Sequence, residues 1–339
     1  MKKIDRLQRT VLWLADNPDT GRIKVQRFRW KDCEPAKNNY CFDSIEKAVF
    51  LASQAGKCFF LHIIPVIPDW SENRLEDYCA FLWKLAEFCS KKPAVYSIDV
   101  TIPDGLEESG QKRIADIYNL AFPELYKMVS LEKDDTIRYM GACRTMGIVL
   151  NSDQDTADIG IKIAKLGLQK VWEHAPIRLE GTSLSKDMQK NAVRWHVSAV
   201  DTKEDAEDIE FAPMGLRPEV RHCYTVDEVR NGEKLPVSVW VVNSGNAQGY
   251  LDASYHIRLM RVDGDDELVW DTGVKGRDCY PGEDVFIGAR IPVENLPAAE
   301  YDIQIGLFDH RTGYPVSMGI EGRISDGFYM TFLKLHVCG

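Results

Sequence analysis

The chain has 339 residues, 45% of them hydrophobic and 28% charged, with a formal net charge of -10. A chain of this length exceeds the size at which one hydrophobic core stops growing, so two domains are expected. The acidic balance opposes the counterion release by which basic proteins hold phosphate backbones, and this removes nucleic acid from the expected partners.

Nine cysteines lie scattered between Cys33 and Cys338 with no CxxC pair, which points to buried free thiols rather than a zinc site or a disulfide framework. The basic start MKKIDR resembles a signal peptide, but the apolar run from Val11 to Ala15 is too short for its hydrophobic region. No later stretch approaches the roughly 20 apolar residues of a membrane span. As written, the chain is expected in the cytoplasm with no membrane partner, or exported if a leader precedes it.

In chain order, up to about residue 212, short apolar runs alternate with amphipathic stretches, as expected of parallel strands covered by crossover helices. The predicted strands are VQRFRW (25–30), CFFLHIIP (58–65), AVYSIDV (94–100), YKMVSL (126–131), MGIVL (146–150), PIRLEG (176–181) and HVSAV (196–200). Between the second and third, RLEDYCAFLWKLAEFC repeats apolar residues at three- and four-residue steps, the stripe of a core-facing helix. Only Val11 to Ala15 is left to supply a first strand. The fold predicted for residues 1–214 is a (β/α)8-type TIM barrel, incomplete or irregular at strand one.

From about residue 217 the period changes to two. The runs LPVSVWVVN, SYHIRLMRV, ELVWDTG, DVFIGARI, YDIQIGLFD and FYMTFLKLHV are separated by turn-forming Gly, Asn, Asp and Pro. Residues 215–339 are therefore predicted to form an immunoglobulin-like antiparallel β-sandwich. The acidic stretch DTKEDAEDIE (201–210) reads as a solvated helix between the two.

In a barrel of this kind the working residues follow the strands at their C-terminal ends. RWKDCEP (29–35) puts Trp30, Asp32 and Glu34 after the first predicted strand, His62 lies near the end of the second, and Glu180 ends the sixth. An aromatic surface beside carboxylates suits a sugar, whose ring faces stack while its hydroxyls need acceptors. His62 is a candidate for a sugar hydroxyl or for assisting a carboxylate, and equally for a structural hydrogen bond. Trp195 and His196 either line the cavity or pack. Asp134 and Asp135 read as a helix cap rather than a metal site, and Asp153 as a cap for the helix that follows it. No metal and no organic cofactor is expected.

The segment RFRWKDCEPAKNNYCFDSIEKAVFLASQAGKCFFLHIIP, followed by PDW (68–70), APIRLEG (175–181) and VVNSGNAQGY (241–250), resembles bacterial barrel glycoside hydrolases of the β-galactosidase kind that carry a C-terminal β-sandwich domain. The resemblance covers most of the chain and places RFRW on strand two, AVYSIDV on strand four and PIRLEG on strand seven. It implies a retaining mechanism with Glu180 as nucleophile. The acid/base is due after strand four, where relatives show a Gly-x-Trp-Gly-Glu-like stretch. This chain reads IDVTIPDGLEESG (98–110) there, which leaves Glu107, with Asp104 and Asp99 as further choices. Arg29, Trp30, Glu34, His62, Trp195 and His196 are the implied sugar-binding residues.

Two functions follow from this reading. One is a retaining glycoside hydrolase acting on a carbohydrate. The alternative is a barrel that has lost its acid and binds carbohydrate or acts as a scaffold. A barrel enzyme of another chemistry finds no phosphate loop, metal cluster or Ser-His-Asp pattern to support it.

Overall fold

The computed structural model describes residues 13–14, 23–141, 143–182, 184–202 and 215–339. Those up to Thr202 belong to one compact unit and those from Gly215 onward to a second.

The first unit is built on β1 (Trp13–Leu14), β2 (Ile23–Arg29), β3 (Cys58–Ile64), β4 (Val95–Asp99), β5 (Tyr126–Ser130), β6 (Met146–Asn151), β7 (Ile177–Gly181) and β8 (Ala199–Thr202). The sheet order is β1-β8-β7-β6-β5-β4-β3-β2, and each neighbouring pair is parallel. Its two ends are β1 and β2, the pair whose hydrogen bonding would close a ring, so the sheet is a nearly closed barrel of the TIM type. The two-residue β1 supplies the missing first strand from within the run Val11 to Ala15, pairing Trp13 with Ala199 and Leu14 with Val200. All five residues of β4 are buried, as expected of a parallel strand covered on both faces.

The helices are α1 (Trp30–Cys33), α2 (Asp43–Gln54), α3 (Arg74–Cys89), α4 (Glu108–Ala121), α5 (Asp134–Met140), α6 (Thr156–Lys165) and α7 (Lys186–Arg194). In α3 the residues Tyr78, Phe81, Leu82, Leu85 and Cys89 are buried at helical spacing, and the Asn73 side chain caps its first turn. Asp155, not Asp153, caps α6, because Asp155 Oδ1 accepts from Ala157 N at 2.7 Å. Asp134 lies inside the first turn of α5, where its charge faces the positive end of the helix, and it pairs with Lys162 at 2.8 Å.

The strand before the C-terminal unit starts three residues later than HVSAV predicts. Helix α7 stops in a Schellman turn: His196 takes φ 58°, its N–H reaches Val193 O at 3.2 Å, and Val197 N–H reaches Ala192 O at 2.9 Å. The buried Val197 and Ala192 are the apolar pair that accompanies such a turn. This chain segment ends a helix before it begins β8.

The second unit contains two sheets formed from β9 (Pro218–Thr225), β10 (Glu228–Arg230), β11 (Lys234–Asn243), β12 (Ala253–Arg261), β13 (Glu267–Lys275), β14 (Asp284–Pro292), β15 (Ala299–Asp309), β16 (Pro315–Val316) and β17 (Tyr329–Cys338). One sheet has the order β14-β11-β9; the other runs β10-β17-β15-β12-β13, with β16 beside β15. All pairings are antiparallel except β10 with β17. Alternate residues are buried, Leu235, Val237, Val239 and Val241 on β11 and Tyr301, Ile303, Ile305 and Leu307 on β15. The segment NSGNAQG is organised by the fully buried Asn243, whose side chain accepts from Arg217 N and Gly245 N and donates to Ala247 O and Cys279 O. With every polar atom of its amide bonded, burying it costs little.

Candidate functional site

The C-terminal ends of the barrel strands surround a cavity of ≈ 620 Å³, completed by the loops that follow β4 and β5. His62 from β3, Asp99 from β4, and Arg178 and Glu180 from β7 all line it. Arg178 and Glu180 are two residues apart on a strand, so the pleat points both to the same face.

Arg178 is fully buried and grips Asp99 with a fork: Nη1 donates to Oδ1 at 2.9 Å and Nη2 to Oδ2 at 2.6 Å. Burial alone would push the Asp99 carboxyl up. The charge of Arg178 and the hydrogen bonds from His62 and Arg178 outweigh it and hold Asp99 well below the usual carboxylate range. An ionised Asp99 is an acceptor only, so at the 2.6 Å contact between His62 Nδ1 and Asp99 Oδ2 the imidazole Nδ1 carries the hydrogen and donates it. Nε2 is then the ring atom that can exchange a proton with a ligand.

Glu180 receives two guanidinium hydrogen bonds on the same oxygen, Oε2, from Arg178 at 3.3 Å and from Arg27 at 3.2 Å. Oε1 has no bond to the described residues. Arg27 also pairs with Asp201 at 3.6 Å, which joins β2, β7 and β8 across the mouth. The backbone around Glu180 is fixed as well. Ser152 N donates to Glu180 O at 2.7 Å, and Asp153 Oδ1 accepts from Thr182 N at 3.1 Å and from its hydroxyl at 2.6 Å. A Cβ at Gly181 would collide with the Ser152 side chain, so glycine is what lets the β6 loop press against the end of β7. On the opposite wall Thr101 Oγ1 donates to Ile63 O at 2.7 Å and meets the hydroxyl of Tyr78 at 2.9 Å, tying the loop after β4 to β3 and α3.

Of the residues singled out in the sequence, the structure brings His62 and Glu180 to the cavity together. Glu107 is exposed at the N-terminal cap of α4 and is not among the lining residues, whereas Asp104 is. Asp99, the further choice, shares a guanidinium nitrogen with this oxygen of Glu180, as Asp201 does through Arg27. Asp99 and Glu180 both bond to Arg178 Nη2, at 2.6 and 3.3 Å, so the two oxygens stand at most about 6 Å apart, a limit that admits the ~5–5.5 Å of a retaining pair. Asp99 nevertheless keeps no proton to donate.

Arg29 is exposed where β2 runs into α1. Trp30 and Glu34 do not reach the cavity, because the single turn of α1 folds Trp30 inward against Tyr78 and Phe81, with ring centroids 4.9 and 5.9 Å away. Glu34, 1% exposed, accepts from Trp30 Nε1 at 2.9 Å and Asn38 N at 3.0 Å, and burial pushes its carboxyl up. These two residues form a buried polar bracket, not a sugar platform. Trp195 and His196 precede β8 and so lie at its N-terminal end, opposite the cavity. His196 stacks on Trp172 at 3.8 Å, and Trp195 reaches α6 at Gly160.

Arg178, Arg27 and Asp201 are the site residues that sequence reading missed. The signal for Arg178 was present. A charged residue within the apolar run PIRLE requires a buried counter-charge, and the Asp of SIDV, at the end of another buried strand, supplies it.

Among the described residues no group of three or more His, Cys, Asp or Glu side chains is placed to hold a metal ion, and no helix is long and apolar enough to cross a membrane.

The chain matches no protein-family model and no curated protein. Among solved structures it is similar to TsXylA, an intracellular xylanase from Thermoanaerobacterium saccharolyticum JW/SL-YS485, with 13% identity over 56% of this chain and 84% of that one and a TM-score of 0.39. It is also similar to xylanase XynB from Paenibacillus barcinonensis, with 13% identity over 58% and 82% and a TM-score of 0.40. A thermostable mutant of a xylanase from Cellvibrio japonicus gives 12% identity over 49% and 73% and a TM-score of 0.37. Likeness of this degree decides nothing about reaction or substrate. The barrel rests on its own strand order, and the narrower name β-galactosidase gains no support.

Proposed function

We propose that the barrel unit is a glycoside hydrolase site in which Glu180 is the carboxylate that reacts at the anomeric carbon. The observation that carries this reading is the setting of Glu180: it ends β7, is partly exposed to a polar cavity of ≈ 620 Å³, and is held through one oxygen by Arg27 and Arg178 while the other is left to a ligand. Such a carboxylate is held in one orientation with an oxygen free for attack, as a nucleophile requires. The cavity volume is in the range of a small-molecule site and accommodates one or two sugar rings.

The structure of the Asp99 pair favours a second reading, a carbohydrate-binding barrel without turnover. Asp99, which lies within about 6 Å of Glu180, is locked to Arg178, and a retaining pair needs one member that carries a proton.

A panel of aryl glycosides separates the two. Under the first reading the wild type turns over at least one, and Glu180→Gln abolishes turnover while retaining sugar binding. Under the second, the wild type turns over none, and bound sugars only raise its melting temperature.

For the C-terminal unit we infer an immunoglobulin-like sandwich. Its support is the alternate burial on both sheets and their predominantly antiparallel pairing.

A further inference from the structure

Glycoside cleavage needs a proton donor to the leaving oxygen, and of the three carboxylates expected there Glu107 does not line the cavity and Asp99 is committed to Arg178. Asp104 lines the cavity but has no hydrogen bond among the described residues to orient it, whereas His62, on the wall opposite Glu180, has both an exchangeable proton and a fixed partner. In the sheet order three strands separate β3 from β7, so in a ring of eight His62 and Glu180 stand across the mouth from each other. Both line the same cavity, so a ligand filling it meets both.

Resting on the glycoside hydrolase reading above, we propose that His62 is the acid/base of this site, held by Asp99 with Nδ1 bonded at 2.6 Å and Nε2 turned over to proton transfer. The ring is part-buried, with a side-chain exposure of 24%, which leaves it accessible to a ligand while Asp99 at 7% is not. Because Asp99 accepts the Nδ1 hydrogen whether Nε2 is protonated or free, the ring keeps one orientation through both states. This is the service that a buried carboxylate gives a catalytic imidazole. Arg178 completes the arrangement: it fixes Asp99 and Glu180 through the same nitrogen and sets the spacing between the orienting carboxylate and the reacting one.

In the first step Glu180 forms a bond to the anomeric carbon, the glycosidic carbon–oxygen bond breaks with its electron pair on oxygen, and that oxygen takes the proton from His62 Nε2. In the second step water adds to the same carbon, gives its proton to Nε2, and the bond to Glu180 breaks. The net change is addition of one water molecule, with both side chains returned to their starting states.

The test compares two substrates of one sugar, an unactivated oligosaccharide or alkyl glycoside and a 2,4-dinitrophenyl glycoside, whose leaving group departs without a proton. His62→Asn retains a side-chain donor near the Nδ1 position for Asp99 and removes the proton carrier. The expected result is a fall in kcat/KM of about 10²–10⁴-fold on the unactivated glycoside and less than about 10-fold on the dinitrophenyl glycoside. The activated substrate also reports that the variant is folded. An equal loss on both substrates, or no loss on either, overturns the role of His62 while the wild-type turnover keeps the hydrolase reading. Absence of wild-type turnover on both overturns that reading and this inference with it.

Discussion

Arg178 and Asp99, one fully buried and the other nearly so, share two hydrogen bonds that connect β7 to β4 across the barrel interior. A buried pair of this kind adds little net stability over an apolar pair of the same shape, but losing one partner strands the other charge. Arg178→Met and Asp99→Asn are each expected to lower unfolding free energy by about 3–5 kcal/mol. The double variant should lose less than the sum, as read from urea melts of the four-member cycle. The pH dependence has a defined sign. The folded-state pKa of Asp99 is depressed, so its contribution is fully present above the unfolded value near ~3.9 and is lost as pH falls toward the folded value. Wild type is therefore expected to lose more stability than Asp99→Asn between about pH 5 and pH 3.

Glu34 holds Trp30 in the core through its indole N–H. Glu34→Ala leaves the buried Trp30 Nε1 and the part-buried Asn38 N–H without their acceptor, and is expected to destabilise the barrel by about 1–3 kcal/mol. Sugar affinity, measured by calorimetry on the folded variant, is expected to be unchanged. A large loss of affinity at full stability would return Glu34 to the binding site.

His196 ends α7 in a left-handed conformation and stacks on Trp172. His196→Ala keeps the strained φ and loses the stack, at a cost of about 1 kcal/mol or more. His196→Gly loses the same stack but adopts φ 58° freely, and is expected to be about 1 kcal/mol more stable than the alanine variant. Neither is expected to alter turnover. Thermal melts and kinetics on the pair check both statements.

The barrel strands were legible because parallel strands covered on both faces are short apolar runs, and β2 to β7 fall within one or two residues of their predicted bounds. β8 was displaced because Val197 and Ser198 extend its apolar run backward into the turn that ends α7. That shift carried His196 to the wrong end of the strand and hid Asp201. β9, β10 and β16 escaped notice because the first is broken by Arg221 and His222 and the other two are three and two residues long. Glu180 and His62 were visible as polar residues near strand ends. The partner of Glu180 was not, because periodicity says which residues face the interior but not which buried charges meet across it. Trp30 and Glu34 followed a strand end as site residues do, and only the inward turn of α1 shows that they belong to the core.

Covalent trapping tests directly whether Glu180 is the nucleophile. A 2-deoxy-2-fluoro glycoside with a dinitrophenyl leaving group reacts at a nucleophilic carboxylate and slows the release of the sugar, so the intermediate persists long enough for peptide mass mapping. One added sugar is expected on the peptide containing Glu180 and none in Glu180→Gln. A sugar on any other carboxylate, or an unlabelled protein under conditions where the wild type turns over the parent glycoside, would contradict that role.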